Sequence, residues 1–190
     1  MLKRLLLIST LVLLLVACGN ETDDQGREIL FEERFEASYS DEWAFSGDVE
    51  ALGIIAGELH GPEAGQAQLC AGDAEWEDYT LTAWFDHIDG TVALFTRFNG
   101  WQETYGVFVV EGNANLFTRY DNAPKVVIDS VGSIGADPVE MAFTVAGDQL
   151  SVTVDGDPFY EMQDARLPMG SICIELTGGV RLDNVVVTSP

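Results

Sequence analysis

Positive charge is what this chain has least of. Nine lysines and arginines stand against 32 aspartates and glutamates, a formal net charge of −23 over 190 residues. Such a surface repels phosphate backbones and anionic headgroups, so nucleic-acid binding is excluded as a function. Histidine is nearly absent, with two residues. His60 lies between Leu59 and Gly61 and His87 lies near a turn. Neither has in sequence the partners that a Ser-His-Asp arrangement or a histidine-bound metal centre requires. After residue 20 no stretch sustains a helical period over three turns, which excludes a helical bundle and leaves no crossover helices for a parallel sheet. A dense calcium-ligand run of the EF-hand kind is also missing. Cysteine is limited to three positions, Cys18, Cys70 and Cys173.

What is present begins with an export signal. Met1-Leu-Lys-Arg is followed by the apolar run Leu5–Val16, too short for an ordinary membrane span, and this reads as a secretory signal peptide. Its end, Leu15-Val16-Ala17-Cys18, resembles the bacterial lipobox, in which the cysteine is lipidated and becomes the first mature residue. The expected organisation is a lipoprotein signal peptide over 1–17, an acidic tether over 18–28 after the lipidated Cys18, and one domain over 29–190. Acyl chains on Cys18 would hold the domain on a bacterial membrane, facing the cell surface or the periplasm. Loss of Lys3 and Arg4 with the signal leaves a mature charge of about −25.

The strongest local pattern is Met141–Asp157. Met141, Phe143 and Val145 alternate with Ala142 and Thr144; beyond Gly147-Asp148, Leu150, Val152 and Val154 alternate with Ser151 and Thr153. Period-two alternation on both sides of a Gly-Asp turn predicts a β-hairpin with one buried face. Strands are also expected from Ile29, at Val49–Leu52, Ile54–Leu59, Gln66–Ala71 and Asp78–Ile88. Further ones follow at Thr91–Phe98, Thr104–Val110, Ala114–Tyr120, Val126–Asp129, Phe159–Met162, Ser171–Leu176 and Val180–Thr188. Short strands with frequent turns predict an all-β, two-sheet antiparallel sandwich or jelly roll. Cys70 and Cys173 both lie in strand-like runs and in an oxidising compartment either pair or remain two buried thiols. A bridge would close a loop of about a hundred residues, worth about 4–5 kcal/mol in the chain-entropy model.

Several segments taken in order resemble one superfamily. Phe31-Glu-Glu-Arg-Phe, the Trp43 region, Ile55-Ala-Gly-Glu-Leu and Trp76-Glu-Asp-Tyr-Thr-Leu-Thr-Ala are similar to the opening of concanavalin A-like lectin/glucanase domains. Ala93-Leu-Phe-Thr-Arg-Phe and Tyr105-Gly-Val-Phe-Val resemble their middle. Val152-Thr-Val-Asp-Gly, Gly170-Ser-Ile-Cys-Ile and Val180-Arg-Leu-Asp-Asn-Val-Val-Val resemble their ending. Laminin G-like and 3-keto-disaccharide hydrolase-like domains are the nearest branches. The resemblance implies a jelly roll of two curved antiparallel sheets, with carbohydrate the common ligand on the concave face. It also implies a structural calcium between the first and last strands, for which Glu33 and Asp183 are the candidates.

Sugar binding needs a flat aromatic ring and a few fixed polar groups. Trp84, Arg97, Trp101, Tyr105 and Arg119 are the candidate ligand-binding residues. On strict alternation Trp84 points away from Leu81 and Phe85, and Arg97 falls with Ala93 and Phe95. The alternative for the two arginines is pairing with strand carboxylates, and for Trp101 the capping of a loop. Trp101 on the surface would be removable at a cost within about 0.5 kcal/mol. No catalytic residue is assigned: retaining glucanases of this superfamily carry Glu-x-Asp-x-x-Glu on one strand, and this chain has none. Glu75 and Glu77 read as solvated charge at a strand's edge. The expected function is a membrane-anchored extracytoplasmic binding domain for glycan or another surface polymer. Its alternatives are a glycoside-cleaving enzyme of the 3-keto-disaccharide hydrolase-like kind and a structural or adhesion module with a protein partner.

Overall fold

A computed structural model describes residues 21–88, 90–110, 112–121, 126–134 and 138–190, with backbone alone over 126–133. The expected signal segment and Cys18 lie outside the described residues. Among those described, the strands are β1 (Ile29–Glu33), β2 (Ala44–Gly47), β3 (Gly53–Ile55), β4 (Glu58–His60) and β5 (Ala67–Ala71). Next come β6 (Tyr79–His87), β7 (Thr91–Phe98), β8 (Thr104–Val110), β9 (Asn113–Arg119) and β10 (Val126–Ser133). The chain finishes with β11 (Val139–Ala146), β12 (Gln149–Val154), β13 (Asp157–Gln163), β14 (Ser171–Thr177) and β15 (Arg181–Thr188). No described helix is long and apolar enough to cross a membrane.

The strands form two antiparallel sheets, a jelly-roll sandwich. The eight-stranded sheet runs β13-β12-β11-β6-β15-β4-β3, with β1 also on β15, and the seven-stranded sheet runs β10-β9-β8-β7-β14-β5-β2. Crossing between them at eight of the fourteen connections is what places sequence-distant strands side by side. The hairpin predicted at Met141–Asp157 is β11–β12, with Met141 opposite Val154, Phe143 opposite Val152 and Ala146 opposite Gln149 across a two-residue turn. Inner faces supply the core. Leu81, Ala83 and Phe85 of β6, Met141, Phe143 and Val145 of β11 and Val185 and Val187 of β15 meet Val92 and Leu94 of β7, Val107 of β8 and Ile172 and Ile174 of β14. Each buried large aliphatic side chain contributes about 1.5–3 kcal/mol.

Two expectations are corrected here. Val49–Ala51 is a 3-10 turn rather than a strand, closed by hydrogen bonds from Ala51 to the Asp48 carbonyl and from Leu52 to that of Val49. The acidic segment before residue 29 is folded from Glu21. Thr22 bridges Glu28 in antiparallel fashion, the Ile29 amide donates to the Glu21 carbonyl, and Asp23 caps the turn by accepting from the Gln25 and Arg27 amides. Low hydrophobicity suggested a tether; a local turn and the partner Ser189, which exchanges hydrogen bonds with Glu28, order it instead.

Candidate functional site

The outward side of the seven-stranded sheet departs from the polar surface that a solvent-facing antiparallel sheet ordinarily carries. Register builds it row by row. Cys70 pairs with Cys173, Cys173 with Phe95, Phe95 with Gly106 and Gly106 with Phe117, so one line of side chains crosses five strands on one face. The cysteines form a disulfide, with Cα atoms 4.0 Å apart and a sequence separation of 103. Gly106 is required by its neighbours: a Cβ there would stand 2.4 Å from the Phe117 ring and 3.1 Å from Phe95. The next row on the same face is Ser46, Gln68, Glu175, Ala93 and Phe108. Its polar half is hydrogen-bonded, Ser46 donating to Gln68 at 2.7 Å and Gln68 to Glu175 at 3.1 Å.

Trp101 closes this face from the β7–β8 loop. Its ring lies edge-on against Phe95 at 5.3 Å and Phe98 at 5.0 Å between centroids, and Phe117 lies 5.7 Å from Phe95. Such pairs contribute about 0.5–1.5 kcal/mol each beyond area burial. Arg119, at the end of β9, donates through Nη1 to the Trp101 carbonyl and so holds the loop. Between them lies a groove of about 200 Å³, with Phe95, Trp101, Phe108 and Phe117 as its apolar lining and Arg119 and Glu175 as its charged groups.

The five expected ligand-binding residues are not brought together. Trp101 and Arg119 share the groove, whereas Trp84 lies on the outward side of the other sheet, opposite Glu140 and Asn184 in register. Arg97 is corrected from a surface ligand to a buried tie. It takes a left-handed φ of 45°, and between the pairs Phe95–Cys173 and Phe98–Ser171 β7 places two residues, Thr96 and Arg97, where β14 places one, Ile172. This bulge reverses the alternation, turning Arg97 inward and Phe98 outward to join Phe95. Arg97 is 1% exposed. Its guanidinium donates to the carbonyls of Glu77, Gly147 and Leu167 at 2.8–3.1 Å, and Asp78 lies at 3.4 Å. Close packing completes the bulge: a Cβ on Gly170 would come within 2.4 Å of the Arg97 backbone.

Tyr105 is corrected likewise. It is 1% exposed, its hydroxyl accepting from the Leu167 amide at 3.0 Å and donating to Asp164 Oδ1 at 3.0 Å. Burial pushes its phenol up to about 12. Burial pushes the Tyr79 phenol up too, and the Arg97 amide donates to that oxygen at 2.6 Å. At Asp164 burial acts to raise the carboxyl, but hydrogen bonds from Arg166 and Tyr105 outweigh it and hold the group below its ordinary range.

The proposed calcium pair does not converge either. Glu33 is buried and spends its carboxylate on the amides of Phe35 at 2.8 Å and Ser40 at 2.6 Å and on the Trp43 indole N–H at 3.2 Å. Asp183 is the extra residue of a bulge between Leu182 and Asn184, exposed beside Glu58, Asp86 and Asp155. Among the described residues no group of three or more His, Cys, Asp or Glu is placed to hold a metal ion. The depressions beside Trp84 are larger, about 470 and 450 Å³, but the arginines of the first are taken up locally, Arg27 by Asp23 and Arg34 by Glu32, and the second is lined by the carboxylates of Glu58, Asp86, Glu140, Asp155 and Asp183.

Fold and face together define an antiparallel jelly-roll sandwich with an aromatic groove on one sheet. Among solved structures it is similar to the carbohydrate-binding module CBM66 from Bacillus subtilis, at 16% identity and a TM-score of 0.59 over 90% of this chain and 100% of that one. Endo-beta-1,3-glucanase from Pyrococcus furiosus is similar at 11% identity and a TM-score of 0.63, over 89% of this chain and 97% of that one. The exoplasmic/lumenal domain of VIP36, in its Ca2+/Man-bound form, follows at 12% identity and 0.57, over 83% and 88%. These likenesses establish the fold. No family model matches the chain, and no curated protein matches it in sequence.

Proposed function

We propose that this chain is a membrane-anchored, extracytoplasmic binding module, and that its ligand is a glycan held on the outward side of the seven-stranded sheet. The observation that carries the reading is the aromatic groove, a contiguous apolar surface rimmed by polar groups where alternation calls for a wetted face. Trp101 and Phe108, partly exposed, offer ring surface to a pyranose, while Arg119, Glu175 and Thr91 offer donors and acceptors for its hydroxyls. The neighbours in structure include a carbohydrate-binding module and a mannose-bound domain, which supports the same reading. Anchoring rests on Cys18 and the lipobox-like sequence before it, and the disulfide fits an oxidising compartment.

Cleavage of a glycosidic bond ordinarily needs two carboxylates about 5–9.5 Å apart. Glu175 is the one carboxylate among the described residues lining the groove, so binding is the better-supported function. The processed chain, purified from its membrane and applied to a glycan array with and without calcium, should retain a subset of glycans. Trp101→Ala and Phe108→Ala should each weaken that retention tenfold or more, and Trp84→Ala should not. Retention of no glycan, or dependence on Trp84 alone, would reject the reading; release of reducing sugar would replace it with the enzymatic one. The anchor is tested separately: Cys18→Ser should leave an unprocessed, unacylated precursor, and a mature N-terminus elsewhere by mass spectrometry would refute it.

A further inference from the structure

Resting on the glycan-binding reading, the charge pattern of the groove narrows the ligand class. The described arginines are Arg27, Arg34, Arg97, Arg119, Arg166 and Arg181. Acid is so abundant that five of them have a carboxylate within 4 Å: Asp23, Glu32, Asp78, Asp164 and, for Arg181, both Glu58 and Asp86. Arg119 is the exception among the described residues. Among the described residues its neighbours are the Trp101 carbonyl and the aromatic lining, and its hydrogen bond to that carbonyl uses one of the five N–H donors of a guanidinium. The side chain is thereby fixed in direction while most of its donors stay available to the groove. A neutral hydroxyl would be served as well by an amide; a planar cation with parallel donors matches a carboxylate bidentately.

We infer that the groove binds an acidic saccharide, a uronate-type sugar whose carboxylate sits on Arg119 while its ring faces lie on Trp101 and Phe108. Glu175 supplies the opposite polarity. Arg119 pairs with Thr104, and Glu175 pairs with Ala93, which pairs with Phe108, so the two charges lie three strands and four residues apart on one face. A carboxylate is accepted at the Arg119 corner, whereas Glu175 at the other corner already accepts from Gln68 at 3.1 Å. The net charge of −23 opposes any polyanion at long range. Salt at physiological strength screens that field within about 8 Å, whereas a contact pair against an apolar wall is screened far less. Contact therefore decides the outcome.

The experiment uses the processed full chain and three polymers, polygalacturonate, alginate and hyaluronate, each beside its carboxyl-reduced counterpart with the same ring backbone. Titration calorimetry at 0.15 M salt should find at least one acidic polymer bound ten times or more tightly than its reduced form. Arg119→Gln should remove that discrimination and Arg119→Lys should restore part of it. Both should leave the melting temperature within a few degrees; since Arg119 also holds the Trp101 loop, tryptophan fluorescence of the unliganded variants serves to show that loop in place. Equal or stronger binding of the reduced polymers or neutral glucans, with Arg119→Gln unchanged, overturns the acidic-ligand inference and leaves glycan binding standing. Binding of none of the acidic, reduced or neutral polymers removes both.

Discussion

The two outward faces of this sandwich are built by the same alternation and carry opposite chemistry. On the eight-stranded sheet, Thr80, Thr82, Thr144, Ser151, Thr153 and Thr188 line up across β12, β11, β6 and β15, with Thr80 and Thr144 sharing a hydrogen bond of 2.9 Å. Threonine favours extended backbone, and Thr82, Thr144, Ser151 and Thr153 are partly exposed while Thr80 and Thr188 are covered. On the seven-stranded sheet the equivalent positions hold Phe95, Phe117, Phe108 and the Cys70–Cys173 bridge, shielded from water by one another and by Trp101. Folding alone asks for the first kind of face. The second is the face on which the proposed glycan would lie, and the difference separates positions explained by the fold from positions that the proposal has to explain.

That contrast can be broken at the bridge, where the largest effect is expected. Replacing Cys70 and Cys173 by serine removes a cross-link spanning 103 residues. The loss should be about 2–5 kcal/mol, read from urea unfolding under non-reducing conditions. A loss below 1 kcal/mol, or two titratable thiols in the unfolded, unreduced wild type, would contradict the bridge.

Arg97→Leu comes next, and strikes both sheets at once. It leaves the carbonyls of Glu77, Gly147 and Leu167 without their donor, that of Leu167 buried and the other two partly so. At about 1–3 kcal/mol for a stranded buried group, the total should exceed 2 kcal/mol. Chemical denaturation checks this, and a cost under 1 kcal/mol would mean that Arg97 is dispensable to the core.

Smaller effects sharpen the comparison between the tryptophans. Trp101→Ala should cost about 1–2 kcal/mol, because it strips edge-on contacts from Phe95 and Phe98. Trp84→Ala, on the hydroxyl face, should stay within about 0.5 kcal/mol. The structure thus raises the expected cost of Trp101 above what a surface residue would show, and equal thermal shifts for the two variants would erase the distinction between the faces.

The mildest test is pH. Asp164 has its carboxyl lowered in the folded state, so its contribution is present above the ordinary carboxylate range near 4 and is lost as pH falls through the lower folded value. Tyr105, raised to about 12, behaves inversely: its contribution is present below pH 10 and is lost as pH rises through about 12. Asp164→Asn should flatten the acid limb of the stability profile and Tyr105→Phe the alkaline limb. Unfolding midpoints across pH would show unaltered limbs if these groups were not so placed.

By itself the sequence determined most of the strands, the sandwich class and the β11–β12 register, because side-chain alternation and turn chemistry act over a few residues; it missed β2 and read the Val49–Ala51 turn as a strand. It also placed Trp84 outside the core and made Cys70–Cys173 one of two open outcomes. Tertiary structure decided the pairing of those cysteines, since adjacency of β5 and β14 is a fact of sheet order rather than of any local pattern. It decided Arg97 as well: one bulged residue moves a side chain to the other face, and bulges leave no periodic trace in sequence. The groove had a partial signal in Phe95, Gly106, Phe108 and Phe117, a glycine among aromatics on successive strands. Reading that signal needed the register, because strands far apart in sequence share a face only once both sheets have formed.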